Sequence, residues 1–315
     1  MTAAAPGVSV VICAYTQRRW DDIIAAVDSA FAQPDTLEVV LVIDHENHLL
    51  ARARERFPDA IVMPNENRRG LSGARNTGLA RARGEIVAFL DDDAAADSRW
   101  LGLLLSGFED SDVVAVGGSA HPLWPSGVAP ALLPPELLWV VGCTYRGQPT
   151  RRADVRNVIG CSMAFRRRAL EDIGGFNLDT GRVGQIPLGA EETEVCIRLR
   201  QADARARVVF EPLSRVRHRV TPDRTTWRYL RRRSFFEGVS KAALSQSLGS
   251  ADALSSERSY TLRVLPLGIL RELRHGRVAG ALAILLSVAA ATTGYAYGTL
   301  RKASVNSPAP VPVSR

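Results

Sequence analysis

The first hundred residues alternate between unbroken apolar runs and amphipathic stretches. VSVVICA (8–14), LEVVLVID (37–44), AIVMP (60–64) and EIVAFLD (85–91) read as strands. Between them, 19–32, 47–57 and 72–83 read as helices, ended near Gln33-Pro34, at Pro58 and at Gly84. Strands that are apolar at every position belong to a sheet buried on both faces. Helices between such strands make βαβ units and a parallel order. The pattern predicts an α/β fold, a Rossmann-like, mostly parallel sheet with helices on both faces. Ligands of such sheets sit outside the carboxyl ends of the strands. The chain places polar residues there: Tyr15 and Thr16, Asp44, then Asp91, Asp92 and Asp93.

Three adjacent carboxylates repel one another, so a folded chain holds them together either in water or around a cation. No GxGxxG follows the first strand, where AYTQRRW stands, which disfavours a dinucleotide site. GLSGARNTG has glycines but lacks the lysine and spacing of a phosphate loop. A nucleotide bound without either needs another counter-charge, and a divalent cation on carboxylates supplies one. Asp91 and Asp93 close their strand with no basic residue adjacent in sequence.

Beyond residue 100 the pattern is less regular. VVAVGGSA (113–120) reads as a strand, and PLWPSGVAPALLPPELLWVVG as a Pro- and Trp-rich excursion too irregular for a long helix. VIGCSMAFRR (158–167) and GGF (174–176) follow, then GAEETEVCIRLRQ (189–201), a helix with an acidic start. There is no internal repeat, and no low-complexity segment precedes the tail SPAPVPV.

Net charge is +7 with a pI near 9.7, concentrated in the arginine-rich stretches 146–168 and 198–233. That balance suits anionic partners, whether nucleotide phosphates, lipid phosphates or nucleic acid, or simply a solvated basic face. Arginine in preference to lysine leans toward forked recognition of phosphate or carboxylate. Cys13, Cys143, Cys161 and Cys196 lie far apart, so neither a disulfide framework nor a zinc site is expected. MTAAAPGVSVVICAY has no basic run before its apolar residues, so no signal peptide is expected, and a reducing cytoplasmic setting fits.

Taken in order, VSVVICAYTQRRW, VIDHEN, NRRGLSGARNTGLARARGEIVAFLDDDA, GCSMAFRR, GGF and GAEETEVCIRLR resemble the family 2 glycosyltransferases of GT-A fold, over residues 8 to about 220. The triplet alone would be weak, but the ordered set is specific. The resemblance implies a nucleotide-diphospho-sugar donor, UDP-sugars favoured, an inverting transfer, and Mg²⁺ or Mn²⁺. Matching its DxD motif, Asp91 and Asp93 would be the metal-side pair, with Asp92 pointing elsewhere on the alternating strand tip. Ala14, Tyr15, Asp44, Arg75, Asn76, Asp91 and Asp92 would hold the nucleotide-sugar. Only one Asp carries over at IDHENH, where the family commonly has DDGS. Gly70, Gly73 and Gly78 would let the ARN helix pack close to the sheet.

An inverting transfer needs a base for the acceptor hydroxyl's proton. The family's ED motif is Glu191-Glu192 here, which matches the base to Glu192 with Glu191 its neighbour and leaves their order open. The helix N-terminus would keep that carboxylate ionised. His218 in RVRHRV would complete the metal shell, or be structural. Trp139 and Trp124 would line an acceptor groove, or pack in the core. No QxxRW follows, so processive synthases match poorly.

Val278 to Leu300 is uncharged over 23 residues, a helix of roughly 34 Å, long enough to cross a bilayer. A span or re-entrant hairpin, docking on the membrane surface and a buried soluble helix remain open. With YLRRRSFFEG (229–238) it suits an anionic lipid interface. The division expected is a catalytic domain over 1–225, a membrane-associated helical segment over 226–302, and a flexible tail over 303–315. The function expected is sugar transfer to a polyprenyl- or other lipid-linked glycan in cell-envelope synthesis, at the cytoplasmic face of the membrane. The alternatives are an inactive GT-A-like partner subunit, a nucleotidyltransferase, for which no GxGxR-type loop follows the first strand, and a basic nucleic-acid-binding protein, for which no binding module stands in the sequence.

Overall fold

The computed structural model describes residues 7–179, 190–249 and 259–305. The start of the chain, the glycine opening GAEET and residues 306–315 of the expected tail lie outside them. The opening alternation folds as read: β1 (Val8–Ala14), α1 (Trp20–Phe31), β2 (Thr36–Ile43), α2 (Asn47–Arg56), β3 (Ile61–Pro64), α3 (Leu71–Arg81) and β4 (Ile86–Asp91). These four strands pair in parallel in the order β3-β2-β1-β4. Burial on both faces explains the unbroken apolar runs. Val10, Ile12, Leu41, Ile43, Ala88 and Leu90 face a core shared with α1. Val11, Val40, Val42, Val87 and Phe89 face the other, beneath α3. The tight seat of α3 depends on Gly78, where a Cβ would collide with Val11.

After β4 the pairing changes. β5 (Ala94–Ala96), α4 (Trp100–Leu105), β6 (Val113–Leu123), β7 (Ala153–Asp154), β8 (Ser162–Arg166), α5 (Arg167–Asp172), α6 (Glu191–Ala202) and β9 (Arg207–Arg219) complete the sheet, which continues β4-β8-β6-β9-β5. β8 is antiparallel to both β4 and β6, and β5 and β7 are antiparallel to β9. The mostly parallel order therefore holds for the first four strands, and the second half is mixed. The excursion at 122–142 begins in the end of β6 and contains one 3-10 segment, Pro135–Val141.

The C-terminal helices are α7 (Trp227–Leu248), α8 (Leu265–Arg274) and α9 (Val278–Val305). Glycines and small residues let α7 and α9 run side by side in parallel. Gly238 meets the backbone of Ala291, Gly294 that of Phe235, and Ser234 and Ser287 share a buried hydrogen bond of 2.9 Å. Arg271 of α8 donates two hydrogen bonds, at 2.6 and 2.8 Å, to the buried Glu136 carboxylate in the 3-10 segment. This charge pair fastens the helices to the sheet domain.

Candidate active site

β4 ends at Asp91, and the turn after it aims the other two carboxylates of the triplet. Asp91 continues the odd-numbered face of β4 and reaches Arg75 of α3, whose Nη2 lies 3.3 Å from its Oδ1. Asp92, one residue on, turns to the other face and accepts a 2.5 Å hydrogen bond from Arg19 at the start of α1. Its second oxygen, Oδ2, is buried with no protein partner among the described residues. Asp93 accepts from His218 Nε2 at 3.2 Å and from Arg19 at 3.0 Å, with Arg224 at 3.6 Å. The absence of a basic neighbour in sequence does not survive folding, because β9 and the turn after it carry cations to Asp93. Burial pushes the Asp92 carboxyl up to about 7 against the pull of Arg19, with Asp93 adding to the rise. Asp93 is also opposed by burial, but His218 and Arg19 hold it well below the usual carboxylate range.

His218 is brought in by the period of β9, whose even-numbered Val216 and His218 are buried between exposed arginines. Ala94 of β5 pairs beside it. One donor atom from each of Asp91, Asp93 and His218 lies within 4.8 Å of the others. Two carboxylates and one imidazole suit a hard divalent cation of the Mg²⁺ or Mn²⁺ kind.

Two cavities meet at this cluster, sharing Arg19, Leu71 and Asp91. The smaller, about 240 Å³, is lined by Ala14, Tyr15, Asp44, Arg69 and Asp92. Asp44 is fixed there by Asn65 Nδ2 at 2.7 Å and the Gly70 N–H at 3.0 Å. The larger, about 760 Å³, takes in Asp91, Asp93, His218, Glu191, Glu192 and Trp139. Arg75 stands between the two acidic groups, donating to Glu191 at 2.9 Å and to the Gly160 carbonyl at 3.0 Å. Glu191 is therefore committed to an ion pair. Glu192, partly buried on the cavity wall, is pushed up to about 8 by burial and then by Glu191. The expectation that the helix N-terminus keeps it ionised is corrected by these two larger effects.

Asn76 does not reach the cavity. Both ends of its amide bind the Phe176 backbone, Nδ2 to the carbonyl and Oδ1 from the N–H, each at 2.8 Å. The GGF turn so held sets the Phe176 ring under the Arg75 guanidinium, 5.3 Å to the centroid. The Asn76 amide is thus taken up by the turn that carries the ring beneath Arg75. Trp124 packs against the apolar core and is not in the cavity wall, whereas Trp139 is. Arg19 and Arg224 were not singled out by sequence reasoning. For Arg19 the signal was present, since it follows the polar tip of β1; Arg224 joins only through tertiary folding.

A model of glycosyl transferase family 2 matches residues 9–174. The chain belongs to glycosyl transferase family 2. A glucosyl-dolichyl phosphate glucuronosyltransferase of Haloferax volcanii is 32% identical over 305 residues, covering 93% of this glycosyltransferase and 96% of that one. Among solved structures, the mannosyltransferase PcManGT from Pyrobaculum calidifontis, in complex with GDP-Man and Mn²⁺, gives a TM-score of 0.62 at 19% identity, covering 95% of this chain and 88% of that one. GalNAc-T7 with UDP, GalNAc and Mn²⁺ gives 0.54 at 17% identity, over 82% and 55%. Both likenesses agree with the GT-A fold.

Proposed function

We propose that this glycosyltransferase transfers a sugar with inversion from a nucleotide-diphospho-sugar, UDP-sugars first, to a hydroxyl of a lipid-phosphate-linked saccharide in cell-envelope synthesis. One observation carries the reading: the Asp91–Asp93–His218 cluster and the raised Glu192 carboxyl open into the same cavity. The smaller cavity, with Asp44 held rigidly in its wall, suits the nucleoside, and the shared boundary at Asp91 suits the diphosphate. Asp91, Asp93 and His218 would hold the divalent cation, which when bound supplies positive charge against the leaving diphosphate. The Glu192 carboxylate takes the acceptor hydroxyl's proton as its oxygen bonds to the anomeric carbon. The bond from that carbon to the diphosphate breaks, and the nucleoside diphosphate leaves. The Glu191–Arg75 pair keeps a cation beside the departing charge.

We also propose that the chain works at the cytoplasmic face of a membrane, lying on it instead of crossing it. Leu267, Leu270 and Leu273 of α8 and Val278, Leu282 and Leu285 of α9 are each 44–67% exposed. Exposed Arg263, Arg274 and Arg277 flank them, as suits an anionic lipid surface. α9 is uncharged over Val278–Leu300 but packs in parallel along α7, whose Arg231, Arg232, Glu237 and Lys241 would enter hydrocarbon with it. The Haloferax relative's dolichyl phosphate substrate supports a membrane-borne acceptor.

The test is a panel of UDP-, GDP- and dTDP-sugars with short-chain polyprenyl-phosphate sugars, product anomers read by NMR. A product of inverted configuration supports the reading, and retention overturns it. Turnover of no donor with any acceptor would leave an inactive partner subunit as the better account.

A further inference from the structure

His218 has two ring nitrogens, and the metal reading uses only Nε2, which faces Asp93 at 3.2 Å. A metal held by Nε2 leaves the ring proton on Nδ1, and a buried N–H needs an acceptor. Nδ1 meets the Cys143 thiol, with Sγ at 3.7 Å, within reach of a hydrogen bond to sulfur. Both side chains are buried. The thiol proton has its own outlet, the Val141 carbonyl at 3.9 Å, so a sulfur lone pair can accept from the ring. The backbone fixes this contact. The 3-10 segment Pro135–Val141 ends at Gly142, whose φ of 79° is left-handed. Gly142 and Cys143 donate their N–H groups to the Trp139 and Leu138 carbonyls, at 3.0 Å each. Next in the chain, Thr144 is clamped to β6. Its N–H donates to the Ala120 carbonyl at 2.9 Å, and its Oγ1 accepts from the Ala120 N–H at 2.8 Å. β6 pairs directly with β9, the strand that carries His218. Gly142 also confines the ring, because a Cβ there would stand 3.4 Å from His218 Cε1.

Histidines that bind metals are oriented through their second nitrogen, and loss of that outer partner typically costs about 10–100-fold in metal affinity. Resting on the metal-dependent transferase reading above, we propose that Cys143 is the positioning residue for His218. Its thiol accepts the Nδ1 proton, fixes the tautomer and turns Nε2 toward the Asp91–Asp93 pair. Cys143 acts through the ring and is not itself a ligand. The Pro- and Trp-rich excursion thereby gains a purpose that its sequence did not disclose: the stretch Glu136 to Cys143 buttresses the metal histidine.

The experiment titrates Mn²⁺ into the full chain, alone and then with UDP or GDP present, and follows binding by water-proton relaxation. Wild type is compared with Cys143→Ala, Cys143→Ser and a control in the same cavity wall, Cys161→Ala, whose thiol donates to the Gly142 carbonyl at 3.7 Å. Cys143→Ala should weaken Mn²⁺ binding about tenfold, the low end for an outer partner because sulfur is a weak acceptor. Cys143→Ser should restore most of that affinity, since its hydroxyl can accept from Nδ1. Serine and alanine fill nearly the same space, so a packing role alone would make their losses equal. Cys161→Ala should leave the affinity unchanged. Co²⁺ added to wild type should give no sulfur-to-metal charge-transfer absorption. Unchanged affinity in Cys143→Ala, equal losses in Cys143→Ala and Cys143→Ser, a matching loss in Cys161→Ala, or a charge-transfer band abolished by Cys143→Ser would each overturn the inference. In all four cases wild type still binds Mn²⁺ and the metal reading stands. Wild type that binds no Mn²⁺ in either titration would instead sink the metal reading, and the role of Cys143 with it.

Discussion

Two buried carboxylate–arginine clusters sit at opposite ends of the parallel strands, and they differ in completeness. At the amino end, Glu38 of β2 accepts from Ser9 Oγ at 2.7 Å and from the Arg83 N–H and Nε at 2.8 Å each. Both of its oxygens are satisfied. Burial would raise its carboxyl, but the Ser9 and Arg83 hydrogen bonds prevail and lower it. At the carboxyl end, Asp92 keeps an oxygen without a protein partner among the described residues, and its carboxyl is raised to about 7. Buried polar groups left unsatisfied cost stability and call for an explanation. A cluster completed by its own protein serves the fold. One left incomplete at the ligand edge of the sheet serves whatever binds there.

The largest effect that sharpens this contrast belongs to Glu192. Glu192→Gln keeps size and polarity but cannot take a proton, so kcat should fall about 10²–10⁴-fold with donor affinity little changed. Because the carboxyl is raised to about 8, the wild-type rate should climb as pH rises through 8 and level off above it. Below that value only the deprotonated fraction can act as base. A rate flat from pH 6 to 9, or a larger loss in Glu191→Gln, would move the base elsewhere.

Asn76 comes next. Asn76→Ala frees the GGF turn and the ring beneath Arg75, so kcat should drop by about tenfold or more through misplacement of a group away from the chemistry. A loss expressed only in donor KM would instead mean that the amide touches the donor.

The smallest catalytic effect belongs to the complete cluster. Glu38→Gln should cost about 1–3 kcal/mol of stability by breaking charge-assisted hydrogen bonds, with kcat per folded molecule unchanged. A depressed carboxyl stabilises above its unfolded value, near 4.5, and loses that contribution as pH falls. The gap in thermal midpoint between wild type and variant should therefore close on acidification below that value. A gap that persists at low pH would assign the effect to packing.

The alternation of the first hundred residues made β1 to β4 legible, because a strand buried on both faces has little choice of composition. The same period of two places Asp91 on the face beneath α3, while the turn after β4 takes Asp92 to Arg19. Glu192 could be named from the chain but not its raised carboxyl, which depends on Glu191 beside it and the cavity wall around it. Asn76 shows the limit of motif matching: its neighbour Arg75 enters the site, while a helix turns the next side chain away toward Phe176. The mixed second half was hidden because the pairings of β5 to β9 are decided by contacts distant in sequence, with a long irregular excursion between β6 and β7. Arg224 and His218 reach Asp93 in the same way.

The central claim is that the incomplete cluster binds a divalent cation together with the donor. Calorimetric titration of the nucleotide-sugar that turns over, with Mn²⁺ and then with EDTA, tests it most directly in wild type, Asp93→Asn and Glu192→Gln. The account predicts metal-dependent donor binding in wild type and Glu192→Gln and its loss in Asp93→Asn. Equal donor affinity in EDTA and Mn²⁺, or metal-dependent binding retained by Asp93→Asn, would contradict it.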